Sequence, residues 1–173
     1  AAVLRLGSLY GGLVAGGLSS LDLLRRVARA HDGVLGFVPG LPGMHDIEDY
    51  PDAELVPGLV MYRYDAPLCF ANAENFRRRA LEAVESYPQP VEWFVLNAEA
   101  NSEVDLTALD ALDGLRIELA RRGVTFGMAR VKQDLREALQ AAGMLDKIGT
   151  DHIYATLPTA VAAFRARGDG TVS

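Results

Sequence analysis

The stretch VEWFVL at residues 91–96 decides the fold. It is nearly apolar throughout and is rich in valine, tryptophan and phenylalanine, which favour β-structure. A strand that is apolar on both sides is typical of the centre of a parallel sheet, where helices cover both faces. We therefore expect an α/β fold with residues 91–96 at its centre.

Predicted strands and helices alternate on either side of this stretch. The other predicted strands cover residues 59–64, 68–70, 124–129 and 153–155. The apolar spacing predicts helices over residues 72–84, 105–121, 133–142 and 157–167. Asn72 and Asp105 are suited to cap helix starts, and Gly123 and Gly143 to end helices. This order indicates a mixed, mostly parallel sheet of about five strands with four helices.

An uncharged segment, LGSLYGGLVAGGLSSL at residues 6–21, comes before this unit. Its glycines have the small-xxx-small spacing of packed membrane helices, and Arg25, Arg26 and Arg29 follow it. The run is shorter than the roughly 20 apolar residues that a spanning helix needs. We interpret residues 1–24 as the end, or stump, of a last transmembrane helix with its arginines on the cytoplasmic side. A glycine-rich soluble leader is the alternative.

Residues 25–57 are predicted to be a juxtamembrane linker. Within residues 39–58, PGLPGMHDIEDYPDAELVPG, four prolines argue against any regular element and favour an extended, solvated chain. The folded domain is then expected at residues 56–167. A flexible tail is expected at residues 168–173.

The composition excludes some classes of partner. A formal net charge of −6 repels phosphate backbones, so we expect no nucleic-acid binding. The single cysteine, Cys69, lies in the apolar run LCF, which predicts a small buried side chain in a reducing compartment.

Groups that could form a catalytic centre are scarce in this sequence. His31, His45 and His152 are far apart and lack the spacing of metal ligands. Cys69 has no basic neighbour that would activate it as a nucleophile. We therefore expect no enzyme activity, no metal site and no firmly held cofactor.

The segment LNAEANSEVDLTALDAL, residues 96–112, is the best candidate for a binding site. It leads from the central strand to a helix N-terminus, which attracts anions at the carboxyl edge of a parallel sheet. Glu99, Glu103 and Asp105 oppose this attraction with negative charge. The simplest interpretation is that Asp105 caps the helix and Thr107 lies in its first turn.

Several longer phrases resemble the STAS domain of SulP anion transporters. They are VPGLVMYRYDAPLCFANAENFRRRAL at 56–81, VEWFVLNAEANSEVDLTALDALDGL at 91–115, RRGVTFGMARVKQDLREALQAAGM at 121–144 and IGTDHIYATLPTAVAAF at 148–164. The phrase at residues 17–58 also resembles the junction between membrane domain and STAS domain in bacterial members.

This resemblance implies the STAS fold and a regulatory or assembly role without catalysis. The domain would follow the membrane part of a secondary transporter for sulfate or a related small anion. It would lie at the cytoplasmic face of the inner membrane. The implied partners are the upstream membrane domain, a second transporter copy in a homodimer and a cytosolic regulatory protein.

The same resemblance raises the alternative of a free-standing module similar to anti-sigma-factor antagonists. Their Asp-Ser-Ser/Thr-Gly motif matches Asp105, Leu106, Thr107 and Ala108 here. Thr107, beside Asp105, would be the phosphorylated hydroxyl of a switch. Leu106 and Ala108 depart from the motif, and the surrounding acids oppose a phosphate.

A further hypothesis is weak binding of GTP, GDP or ATP, which is credited to some STAS domains. The candidate contacts, for a nucleotide or a partner, are Asn101, Ser102, Arg130 and Lys132. The acidic loop nearby predicts low affinity.

Overall fold

The computed structural model describes the backbone of residues 2–28 and 30–169 and the side chains of residues 7–22 and 30–167. The strands in these ranges are β1 (Asp32–Phe37), β2 (Met44–Asp46), β3 (Leu59–Tyr64), β4 (Trp93–Asn97), β5 (Thr125–Ala129) and β6 (Ile153–Tyr154). The helices are α1 (Ala2–Ala28), α2 (Ala73–Glu85), α3 (Leu106–Arg121), α4 (Gln133–Ala141), α5 (Met144–Ile148) and α6 (Leu157–Asp169). A short 3-10 turn, Thr150–His152, precedes β6.

The described residues form one six-stranded sheet in the order β2-β1-β3-β4-β5-β6. Strands β3, β4, β5 and β6 are parallel, whereas β1 runs antiparallel to both β3 and β2. Trp93 of β4 lies opposite Leu59 on one side and Thr125 on the other. The predicted mixed, mostly parallel α/β sheet is confirmed, with residues 93–97 in its interior.

Both faces of β4 are covered, as its apolar sequence predicts. Phe94 and Leu96 point into a core shared with α2, α3, α4 and α5, and both are fully buried. Val95, also fully buried, points to the other face, which α6 covers through Leu157, Ala160, Val161 and Phe164. Two separate cores on one sheet explain why this strand shows no polar alternation.

An aromatic cluster fixes α6 against the second face. The ring of Trp93 packs edge-on to Phe164 at 5.5 Å and is stacked with Tyr154 at 6.2 Å. The guanidinium of Arg167 lies 3.5 Å above the Phe164 ring and pairs with Glu92. This cation–π contact and ion pair hold the last turns of α6 to the start of β4.

Helix α1 stands apart from both cores. All of its residues from 7 to 22 are exposed, including the large apolar side chains of Leu9, Leu13 and Leu18. Among the described residues, no helix combines the length and the apolarity that crossing a bilayer requires. The side chains of the predicted arginine cluster, Arg25, Arg26 and Arg29, lie outside the described residues.

The prediction that residues 39–58 contain no regular element is wrong. They contain β2, and β1 comes just before them. The backbones of Phe37 and Glu54 also exchange two hydrogen bonds, of 2.9 and 2.6 Å. The local signals for strands are weak here because β1 contains two glycines and β2 has only three residues. Their pairing depends on β3, which comes later in the chain.

A partly buried polar cluster joins β1 to the domain. The hydroxyl of Tyr62 on β3 donates to Asp32 Oδ2 at 2.7 Å, and Arg79 Nε on α2 donates to Asp32 Oδ1 at 3.0 Å. Burial and the bond to Asp32 raise the pKa of Tyr62 well above its ordinary value, so the hydroxyl remains a donor. One carboxylate therefore connects β1, β3 and α2.

A second buried carboxylate, Asp46, holds β2 in place. Its oxygen Oδ2 lies 3.2 Å from His31 Nε2 and 3.7 Å from Arg63 Nη2, and its Oδ1 accepts from the Glu48 amide at 3.0 Å. The carboxylate occupies the space beside Gly33, where an added Cβ would lie 2.0 Å from Oδ2. Only glycine at position 33 leaves room for this contact.

The predicted strand at residues 68–70 is also wrong. Leu68 makes one isolated bridge, to Val104, and the chain then turns. The Asn72 side chain builds this turn, since its Oδ1 accepts from the Cys69 amide and its Nδ2 donates to Pro67 O, both at 2.9 Å. Asn72 stands at the start of α2 without capping it, and Cys69 is half-buried.

The predicted count of about five strands and four helices lacks β1, β2 and the short helix α5, and it includes a strand at residues 68–70 that the structure does not have. The sequence predicts that Gly143 ends α4, and it does not predict α5. In the structure Gly143, with φ of 67°, is also the N-cap residue of α5. Helix α6 extends two residues beyond its predicted end. The remaining part of the predicted flexible tail, residues 170–173, lies outside the described residues.

Removing the space at position 33 should destabilise the domain. We expect Gly33→Ala to lower the free energy of unfolding by roughly 1–3 kcal/mol, the usual range for overpacking a filled site. Urea unfolding followed by tryptophan fluorescence measures this change. Gly114→Ala is the matched control, because a Cβ there meets only Arg77 Cδ at 3.6 Å, and alanine favours the helix. Equal stability of Gly33→Ala and wild type would contradict the packing described.

A salt bridge between α3 and α5 should make stability depend on acid pH. Burial raises the pKa of Asp113, but hydrogen bonds from Lys147 and Arg116 outweigh this effect and hold the pKa below its ordinary value. The stabilisation is therefore present above the unfolded-state pKa of about 3.9 and is lost as pH falls through the folded-state value.

We expect Asp113→Asn to lower the free energy of unfolding by about 1 kcal/mol at pH 7 and by much less at pH 3. Urea titrations at both pH values test this. Asp110→Asn, on the exposed side of the same helix, is the control and should change little at either pH. A difference between wild type and Asp113→Asn that persists at pH 3 would rule out the ion pair as its cause.

Candidate functional site

The candidate site lies at the carboxyl edge of the parallel strands. Strand β4 ends at Asn97, and the loop that follows it reaches α3 at Leu106, while β5 ends at Ala129. Because β4 and β5 are adjacent and parallel, the loops that leave them are neighbours. This edge is where open α/β sheets place ligands and partner contacts.

Asp105 organises the start of α3. Its Oδ1 accepts a hydrogen bond of 2.8 Å from the Ala108 amide, which is the predicted N-cap. Its Oδ2 accepts a second bond, of 2.7 Å, from the Phe70 amide. The second bond was not foreseen, and it joins the turn before α2 to the first turn of α3.

Asn101 supports the loop from inside. It is fully buried, and its Nδ2 donates to the carbonyl oxygens of Tyr64 and Ala66 at 3.0 and 2.6 Å. Its backbone amide donates to Ala98 O at 3.1 Å. The backbone donor of Asn101, which is a predicted nucleotide contact, is thus engaged within the protein, and so is its side-chain amide. The role of Asn101 in this structure is to fix the loop to the end of β3.

Arg130 and Lys132 follow the end of β5 and are exposed on the surface. Arg130 has a left-handed backbone with φ of 56°, and its Nη1 lies 2.5 Å from Glu99 Oε2. Lys132 is exposed at the start of α4, and Ser102 is half-buried. The predicted contact residues therefore do not converge, since Asn101 faces inward and Arg130 pairs with the acidic loop. Nucleotide binding stays a prediction.

Thr107 is exposed in the first turn of α3, as predicted. It borders a shallow groove between α2 and α3 of about 410 Å³. The groove is also lined by Phe70, Ala73, Glu74, Arg77, Asp110, Ala111 and Gly114. Three of the lining residues are charged, namely Glu74, Arg77 and Asp110, and Arg77 is paired with Glu74 at 3.2 Å.

Two large apolar side chains beside this groove were missed from the sequence. Phe70 is 72% exposed and Leu106 is 74% exposed. The sequence predicts a short strand at residues 68–70, and Leu106 enters the sequence analysis only as a departure from a motif. A signal was available for Leu106, because a helix residue directly after an N-cap faces away from the core when positions 108 and 112 face inward.

The chain belongs to the STAS domain family. The STAS domain model matches residues 50–160, which covers α2 to α5 and all strands from β3 to β6. The α/β fold and the resemblance inferred from the sequence are thereby confirmed.

Curated relatives are named as sulfate transporters. Over 96% of this chain there is 74% identity to "Probable sulfate transporter Rv1739c" of Mycobacterium tuberculosis. Identity is 31% to "Low affinity sulfate transporter 3" of Stylosanthes hamata over 87% of this chain. The chain spans 30% and 25% of the lengths of these two proteins.

Solved structures show the same fold. The murine anion transporter Slc26a9 in its inward-facing state matches 91% of this chain with a TM-score of 0.80 and 21% identity, over 26% of its own length. The SulP transporter STAS domain of Vibrio cholerae matches 72% of this chain with a TM-score of 0.54 and 17% identity, over 94% of its own length.

Loss of the Asp105 carboxylate should loosen the site. We expect Asp105→Ala to lower the free energy of unfolding by about 1–2 kcal/mol, because it removes an N-cap and the bond to Phe70 together. Asp105→Asn keeps one carbonyl oxygen, so its free energy of unfolding should lie between those of wild type and Asp105→Ala. Urea unfolding of the three proteins tests the order, and an unchanged Asp105→Ala protein would contradict the double contact.

Proposed function

We propose that this chain is the cytoplasmic STAS domain, with its preceding segment, of a SulP-type secondary transporter for sulfate or a related small anion. The domain regulates or assembles the transporter and performs no catalysis. It lies at the cytoplasmic face of the membrane, joined to the membrane part of its own protein, and a second copy completes a homodimer.

The extent of the match to the mycobacterial relative carries this proposal. The identity of 74% extends over 96% of the chain, so it includes β1 and most of α1, which precede the segment matched by the family model. A free-standing antagonist of sigma regulators needs only the domain. A helix with residues 7–22 exposed and uncharged up to Asp22 suits a chain that continues into a membrane part.

The surroundings of the histidines support a non-catalytic role. His31 contacts Asp46, whereas His45 Nε2 lies 3.0 Å from Pro42 O in the loop after β1. The His152 ring packs on Trp93 at 5.5 Å, on the other face of the sheet. Each imidazole thus has a separate structural contact, and no pair of them converges on a common cavity.

A phosphoswitch at Thr107 is a second candidate, and its exposure favours it. A kinase can reach the hydroxyl without unfolding the helix, and the helix N-terminus attracts a phosphate. Asp105 and Asp110 oppose the added charge, and Asp105 is already held by two amides. If Thr107 is a phosphoswitch, Thr107→Ala changes uptake by the full transporter in cells, and unchanged uptake contradicts this candidate.

Sulfate uptake by the full-length protein tests the main proposal. Reconstituted into proteoliposomes with an imposed ion gradient, the wild-type protein should accumulate labelled sulfate or a related anion. The 173-residue chain alone should accumulate none. Deletion of residues 56–167 should lower uptake several-fold, because the regulatory or assembly contribution is lost while the membrane part remains.

Two controls make this result interpretable. Membrane insertion of the deletion variant is followed by a fluorescent fusion, so that a folding failure is separated from a loss of regulation. Glu137→Gln, an exposed change on α4, should behave like wild type. A full-length protein that moves no anion under any gradient would overturn the proposal, as would catalytic turnover by the isolated chain.

A further inference from the structure

The two most exposed large apolar side chains of the described residues 30–167 lie in the turn before α2 and at the start of α3. Phe70 and Leu106 are exposed by 72% and 74%, whereas the next, Leu41, is exposed by 44%. Asp105 connects them, since it accepts from the Phe70 amide and directly precedes Leu106. We name these two residues, together with the groove between α2 and α3, the Phe70–Leu106 surface.

The groove next to this pair has a floor of small residues. Ala73 comes from α2, and Ala111 and Gly114 come from α3. Small side chains at these positions leave a furrow that can receive one aliphatic or aromatic side chain of a partner. An exposed apolar pair beside a furrow is the usual composition of a protein contact.

The charges around the groove are mainly negative. Glu74 and Asp110 line it together with Arg77, which is paired with Glu74. Glu103 is exposed two residues before Asp105. Within the described part of the chain, the side-chain carboxylates of Glu103 and Asp110 have no hydrogen bond or ion pair. The surface therefore offers two apolar side chains and two unneutralised carboxylates.

We infer that the Phe70–Leu106 surface docks a Lys/Arg-rich cytoplasmic loop of the transporter's own membrane part. This rests on the proposed function. Short cytoplasmic loops of membrane proteins carry an excess of lysine and arginine. Such a loop, with one apolar side chain, is complementary to this surface in charge and shape. Tethering within one protein or one dimer raises the effective concentration, so modest contacts suffice.

Other occupants fit the charges less well. A second copy of this chain carries the same net charge of −6 and the same acidic groups. A membrane surface on the cytoplasmic side is negative and repels Glu103 and Asp110. A basic loop is the occupant that both the charges and the domain's position favour.

Site-specific crosslinking in the full-length protein tests this inference. The photoreactive residue p-benzoylphenylalanine replaces Leu106, and membranes are irradiated and analysed by mass spectrometry. We expect the crosslink to reach a Lys/Arg-rich loop of the membrane part. The matched control places the same residue at Ile117, which is 40% exposed on the same helix about 16 Å away. That position should not give the same crosslink.

Reversing the charges of Glu103 and Asp110 tests whether the Leu106 crosslink depends on docking at this surface. Glu103→Lys with Asp110→Lys should lower the yield of the Leu106 crosslink about fivefold, as expected for the loss of two exposed charge contacts. Glu137→Lys with Asp146→Lys makes the same change in net charge on α4 and α5 and should leave the yield unchanged.

Each outcome bears on one of the two proposals. A crosslink to a second copy of this domain, to lipid, to another protein or to nothing, in a transporter with normal uptake, overturns the docking inference and leaves the proposed function intact. Absence of anion uptake in the unmodified protein overturns the proposed function itself.

Discussion

The burial of β4 on both faces is the constraint on which the rest of the structure depends. Phe94 and Leu96 are buried on one face of the sheet and Val95 on the other. A single layer of helices can therefore not bury all three side chains. The helices α2 to α5 supply the first cover and α6 the second. The parallel order of β3, β4, β5 and β6 follows, because each crossover must pass through a helix lying on the sheet.

Polar contacts extend this sheet beyond its parallel part. Asp32 connects β1 to Tyr62 and Arg79, and Asp46 connects β2 to His31 and Arg63. The described backbone of α1 ends at residue 28, and β1 begins at residue 32. Such a short connection joins α1 directly to the sheet.

At the carboxyl edge of the sheet, the carboxylate of Asp105 also stabilises two segments. Asp105 caps α3 and holds the turn that presents Phe70. Asn101 fixes the intervening loop from within. Groups that resemble ligand contacts in the sequence thus stabilise the edge, and the exposed apolar pair is the feature left for a partner.

The sequence by itself determined the central strands, the helices α2, α3, α4 and α6, the Asp105 cap and the family. These follow from apolar periodicity and from short-range capping, which depend on neighbours a few residues away. The tertiary structure alone decided that residues 32–46 join the sheet, that Asn101 faces inward and that Phe70 faces outward. Each of these depends on a group distant in the chain: the free edge of β3, the carbonyls of Tyr64 and Ala66, and the carboxylate of Asp105. No local pattern records such pairings, because their free energy arises only when the distant segments meet.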